Sequence, residues 1–267
     1  MAEASYFNVS GEELEKVLQL RTSPIALKFV KSESEIPPGA VRPKRDRGMH
    51  LATCQAFSMA RREKASVALL KEDHWCWAPL VGYGLVKCNE GDESFQKICE
   101  YLMVEDPERA KEHLAHRFPR LAHGDYAGLV MAPLRSASFD PDVVLIYSNP
   151  AQLRTILLAV KYKTGTLLTS HFDPIDSCVF AVVPPFLDGE YRITLPDVGE
   201  YQRAAAGEDE IIFSVPARRM EELMSGLRYV REIGFSYSTF GPMLQPDFPQ
   251  PEFYKDLFRT WGLDEAK

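Results

Sequence analysis

Five cysteines, Cys54, Cys76, Cys88, Cys99 and Cys178, are the residues of this chain best suited to soft-metal or nucleophilic chemistry. A thiolate is a soft donor that selects metals such as zinc, copper(I) and iron–sulfur clusters, and a nucleophile once its proton is lost. No CxxC pair anchors them, so their spacing fits simple burial of a small apolar side chain equally well. Cys99 falls on the apolar face of a predicted helix and Cys88 follows another, and both read as structural. His74 stands two residues before Cys76 in Asp73-His-Trp-Cys-Trp-Ala-Pro79. An imidazole there suits a metal ligand or an acid–base group, because its ordinary pKa lies near neutrality. His171 occupies a comparable place later in the chain. His113 and His116 share a helix face, yet no acidic or cysteine partner lies near them in sequence, so they read as surface residues.

Trp75, Trp77 and Tyr83 are spaced to wall a planar ligand such as a flavin or tetrapyrrole, or to pack two parts of the chain together. Lys28 interrupts the apolar run Ile25-Ala-Leu-Lys-Phe-Val30. A charge there is costly unless it reaches a cleft, a partner or a solvated sheet face. Arg42, Lys44, Arg45 and Arg47, with Arg61 and Arg62, suit an anionic ligand or a solvated loop.

Composition narrows the classes. The chain has 267 residues, 45% of them hydrophobic, and a net charge of −7; a nucleic-acid binder needs a basic face that this balance does not provide. No apolar run is long enough to cross a bilayer, and the opening Met-Ala-Glu-Ala-Ser-Tyr lacks the pattern of a secretory signal. A cytoplasmic location with reduced thiols is the expectation. There is no GxxxxGK[ST] loop, GxGxxG, GxSxG or HExxH, which argues against the common nucleotide hydrolases, serine hydrolases and metalloproteases.

The elements that must position these residues alternate. Ser10 is the predicted cap of a first helix carrying Leu14, Val17 and Leu18 on one face. Strands are expected at 25–30, 67–70, 128–132, 143–147, 191–195 and 211–215, with helices at about 52–63, 80–86, 92–104, 107–117, from Asn149 to about 162, and from Pro216 to about 227. The class is α/β, with α+β as the alternative. Residues 1–135 and 136–233 form two halves, and a tail over 234–267 packs on the body.

The halves echo each other. Pro24-Ile-Ala-Leu-Lys-Phe-Val resembles Pro141-Asp-Val-Val-Leu-Ile-Tyr; each is followed by a helix containing a glutamine (Gln55, Gln152), then by a leucine pair (Leu69-Leu70, Leu167-Leu168), then by an aspartate and a cysteine (Asp73 and Cys76, Asp176 and Cys178). A duplicated chain of this order would bring Cys76 and Cys178 to related positions facing a shared cleft.

Pro24-Ile-Ala-Leu-Lys-Phe, Cys54-Gln-Ala-Phe with Ala60-Arg61, a cysteine before Gly82-Tyr-Gly-Leu85, Pro141-Asp-Val-Val-Leu and Cys178 together resemble the domain of unknown function 169 family of archaea and anaerobic bacteria, over about residues 12–230. The family brings no activity. The resemblance implies that Cys54, Cys76 and Cys178 belong together, and the chain departs from the family where Trp75 and Trp77-Ala-Pro79 flank Cys76 in place of glycines. The resulting expectation is a cofactor-binding protein of anaerobic or redox metabolism. Cys54, Cys76, Cys178 and His74 hold an iron–sulfur cluster or other soft metal in the cleft, beside Trp75, Trp77, Lys28 and Gln55. The alternatives are a cysteine-dependent enzyme with His74 or His171 as base, and a metal-free small-molecule binding module. The expected partner is a small-molecule ligand or a redox protein, and a homo-oligomer is compatible with the sequence.

Overall fold

The computed structural model describes residues 5–165, 167–237 and 251–263. Six apolar runs form strands β1 (Ile25–Val30), β2 (Val67–Leu70), β3 (Gly128–Pro133), β4 (Val143–Ser148), β5 (Arg192–Thr194) and β6 (Ile211–Pro216), which pair in one sheet of order β2-β3-β1-β4-β6-β5. Every pairing is antiparallel, so the fold belongs to the α+β class. Side chains alternate between faces, as the strand period requires. Ile25, Leu27 and Phe29 join Val143, Leu145 and Tyr147 in one core cluster, whereas Ala26, Val144 and Ile146 join a second on the opposite face. Because both faces are covered, the strands read in sequence as nearly unbroken apolar runs.

The helices are α1 (Tyr6–Leu18), α2 (Pro43–Arg47), α3 (Thr53–Glu63), α4 (Trp77–Gly82), α5 (Glu93–Tyr101), α6 (Pro107–Glu112), α7 (Pro150–Thr164), α8 (Ser177–Phe180), α9 (Val183–Asp188), α10 (Val198–Arg203), α11 (Met220–Glu232) and α12 (Glu252–Trp261). Helices α3, α4, α5, α6, α8 and α9 supply residues to the first cluster, and α1, α7 and α11 to the second. The first helix starts earlier than its sequence suggests. Ser5 caps it, with Ser5 and Asn8 exchanging side-chain-to-backbone bonds in a capping box. Ser10 and Gly11 instead face inward, where a Cβ on Gly11 would lie 2.6 Å from the Arg135 backbone nitrogen.

The strand order places β1 and β4 at the centre, β3 and β6 beside them, and β2 and β5 at the edges, the arrangement a doubled chain would give. The helices do not follow it. A twofold axis relating antiparallel neighbours runs perpendicular to the sheet and keeps equivalent helices on one face, but α3 and α7 cover opposite faces. Their glutamines share only a local role, in which Gln55 Oε1 accepts from Ala52 N–H and Gln152 Oε1 from Asn149 N–H, each closing the first turn of its helix. Leu167, of the leucine pair that echoes Leu69-Leu70 of β2, lies outside any strand and is 82% exposed, and Thr166 lies outside the described residues. Of the tail, α12 has no buried residue, and residues 238–250 and 264–267 lie outside the described residues. No described helix is long and apolar enough to cross a membrane.

Candidate functional site

Helices α3, α4, α8 and α10 meet on one face of the sheet, and their residues bring the three cysteines together. Cys54 lies in the first turn of α3, Cys76 at the N-cap of α4 and Cys178 inside α8. Cys54 is buried with Ala52 and Ala204, Cys178 is buried in the first core cluster, and the half-buried Cys76 packs against both groups. All three thiols bear on the fully buried Tyr83, whose hydroxyl donates to Cys178 O at 2.8 Å. Burial raises each of their pKa values, to about 12 for Cys54, and the neighbouring Cys76 and Cys54 push that of Cys178 higher still. The thiols are therefore protonated at neutral pH. Cys88 and Cys99 are buried in the core, as their positions suggest.

Around the thiols stands a set of buried polar groups that the sequence does not advertise. Asp197 caps α10, accepting from Glu200 N–H at 2.8 Å and from Ser177 N–H at 3.2 Å. In a capping box Glu200 would reach back to the cap. Here its side chain turns inward instead, to Ser177 Oγ at 2.6 Å and Tyr147 OH at 2.8 Å, and is 1% exposed. Burial lifts its pKa to about 7. A protonated Glu200 then donates to Ser177 Oγ, which frees the serine proton for Asp197 at 3.0 Å. Arg203, at the end of α10, is exposed, bears electrostatically on Cys54 and Cys76, and lies 5.0 Å from the Trp75 ring centroid. Arg61, buried under the same helix, stacks 3.9 Å from the Tyr147 ring and clamps both oxygens of Glu210 at 2.9 Å.

The two Asp-before-Cys positions differ sharply. Asp73 is fully buried and saturated by Arg42 Nε, Lys44 N–H and Leu70 N–H. This pairing, with Glu33 and Glu72 on the rest of the Arg42 guanidinium, turns Arg42 of the basic loop inward as a structural clamp. Asp176 is 3% exposed, and its Oδ2 has no hydrogen-bond partner among the described residues. Burial, then Asp173 and Asp197, push its pKa up to about 8, and its charge bears on Cys76 and Cys178.

The remaining expected residues divide. His74 is buried, with Nδ1 3.3 Å from Thr53 Oγ1 and Nε2 without a partner among the described residues. Burial drops its pKa to about 4, so the imidazole is neutral, and it meets Tyr83 edge-on rather than a thiol. Trp75 is half exposed beside Gln55 and Arg203, whereas Trp77 turns inward onto Phe118, with ring centroids 5.1 Å apart. The two indoles do not form one wall. Lys28 points to the opposite face from the thiols, toward Asp142, because β1 alternates and its neighbours Leu27 and Phe29 face the thiol side. Among the described residues, no three His, Cys, Asp or Glu side chains stand in position to hold a metal ion. The thiols are gathered but not arranged as a finished ligand set.

Fold and site thus define an α+β protein with a buried thiol–carboxylate centre set between α3–α4 and α8–α10. The chain belongs to the uncharacterised ArCR family known as DUF169, whose model matches residues 13–226. No curated protein and no solved structure matches it.

Proposed function

We propose that this chain is a cofactor-binding protein of redox metabolism that holds an iron–sulfur cluster or another soft metal through Cys54, Cys76 and Cys178, with Asp176 in place of His74 as the fourth donor. The observation that carries the reading is the unpartnered Asp176 oxygen beside Cys76 and Cys178. A buried polar atom without a partner costs free energy that a bound cation recovers. Three thiols and three carboxylates crowd this centre under one exposed guanidinium, and protons now neutralise the excess. A soft metal displaces those protons as it binds and draws the side chains into coordination, so its affinity rises with pH. Thiols kept protonated by burial are poor nucleophiles, which speaks against a cysteine-dependent enzyme, and the divergent Trp75 and Trp77 speak against a stacked flavin or tetrapyrrole.

Anaerobic purification followed by iron, zinc and acid-labile sulfide analysis tests the reading. The expected result is stoichiometric metal that Cys54→Ser, Cys76→Ser and Cys178→Ser each abolish. Asp176→Asn weakens it about 10–100-fold and His74→Ala leaves it in place. A chain that stays metal-free after reconstitution with iron and sulfide, and with zinc, overturns it.

A further inference from the structure

A second region combines a cavity with chemistry that the thiol centre does not use. After α6 the chain makes a single π-helical turn, His113–Arg117, closed by Phe118 N–H bonding His113 O at 2.8 Å. Such turns are rare and recur at functional sites. Here His113 and Arg117 of the turn line a cavity of about 560 Å³, together with His171, Asp173 and Arg192 and the apolar Phe172 and Phe180. That volume suits a small organic molecule.

The polar groups are ordered by sign. Asp173 is already engaged: Oδ1 accepts from Ile175 N–H at 2.9 Å, and Oδ2 lies 3.4 Å from His113 Nε2. The cations are less committed. Among the described residues, Arg117 bonds only the exposed Glu112, and Arg192 bonds Asp188 and the Tyr191 carbonyl. The Arg117–Glu112 pair is exposed at both ends and therefore weak and readily exchanged, and each guanidinium keeps donors to spare. Two arginines and two imidazoles therefore face the cavity against one carboxylate that is already satisfied, beside two phenyl rings.

We propose that this cavity binds a small organic anion, a carboxylate or phosphate monoester with an apolar body, its charged end between Arg117 and Arg192 and its apolar part on Phe172 and Phe180. The site is distinct from the thiol centre, although α8 carries both Cys178 and Phe180.

Calorimetric titration of the purified full chain with benzoate, phenyl phosphate, orthophosphate and benzyl alcohol tests this. Because the readout is binding of the added probe, its outcome does not depend on metal content. Saturable binding of benzoate or phenyl phosphate at millimolar concentration or tighter is expected, and the stronger of the two identifies the anionic group. Orthophosphate and benzyl alcohol bind about tenfold or more weakly, and Arg117→Gln and Arg192→Gln each cost about tenfold, with unchanged circular dichroism. Absence of saturable binding to either anion, equal binding of benzyl alcohol, or undiminished binding in the Arg117→Gln/Arg192→Gln double variant overturns the proposal.

Discussion

At the scale of single residues, Asp176 carries the clearest consequence. Its folded pKa of about 8 stands above the 3.8 of an unperturbed aspartate. Between those values the native state holds a proton that the unfolded chain has released, so stability falls as pH rises. The contribution is complete below the unfolded value and lost as pH passes the folded one. Each pKa unit corresponds to about 1.4 kcal/mol. His74 acts with the opposite sign: its folded value of about 4 lies below its unfolded 6.5, so its contribution is lost as pH falls through that range. In metal-free protein, Asp176→Asn is expected to raise the melting temperature at about pH 8.5 and to change it little at about pH 4.5, gaining about 2–4 °C per kcal/mol recovered. Thermal scans at the two pH values check this, and an equal change at both would show that Asp176 is not a buried neutral acid.

At the scale of elements, close approach of helices fixes the layers, and two glycines show where it is rigid. A Cβ on Gly226 would lie 2.3 Å from the Ala159 carbonyl oxygen, so α7 and α11 meet backbone to backbone. A Cβ on Gly82 would lie 2.6 Å from Val179 Cγ1, a side-chain atom, where α4 meets α8. Backbone cannot turn aside, whereas a valine can be shortened. Gly226→Ala is expected to cost the upper end of the about 1–3 kcal/mol typical of overpacking. Gly82→Ala is expected to cost less and to be partly rescued by Val179→Ala. Urea denaturation of the four variants decides the order, and a larger loss for Gly82→Ala would contradict the contact.

For the whole molecule, the decisive feature is that β1 lies between β3 and β4. Residues 1–135 contain β1, β2 and β3 but not the strand that completes the centre of the sheet. A fragment ending there exposes the β1 edge and leaves Ile25 and Leu27 without their β4 partners Leu145 and Val143, a template for association rather than a stable surface. It is expected to lack a cooperative thermal transition by circular dichroism and dispersed amide resonances by NMR, and to recover both when mixed with residues 136–267. A cooperatively folding 1–135 fragment would mean that the halves are separate domains.

Much of the element list was legible because its signals are local. Apolar runs bounded by Pro, Asn and Gly marked β1, β3, β4 and β6, and the Asn149–Gln152 cap marked α7, since pleat alternation and capping depend on residues a few positions apart. Locality also misled: Ser10 matches a cap as well as Ser5 does until Gly11 is seen against Arg135. Helix α10 stayed hidden, and Asp197-Val-Gly-Glu200 spells an ordinary helix start whose Glu200 happens to be buried. Likewise His113 seemed partnerless because Asp173 arrives from a segment distant in the chain. The chain by itself determined which segments become strands and helices. Only the tertiary structure decided which strands pair, which face α3 and α7 cover, and which acids go into the interior, because those choices rest on burial shared among residues distant in sequence.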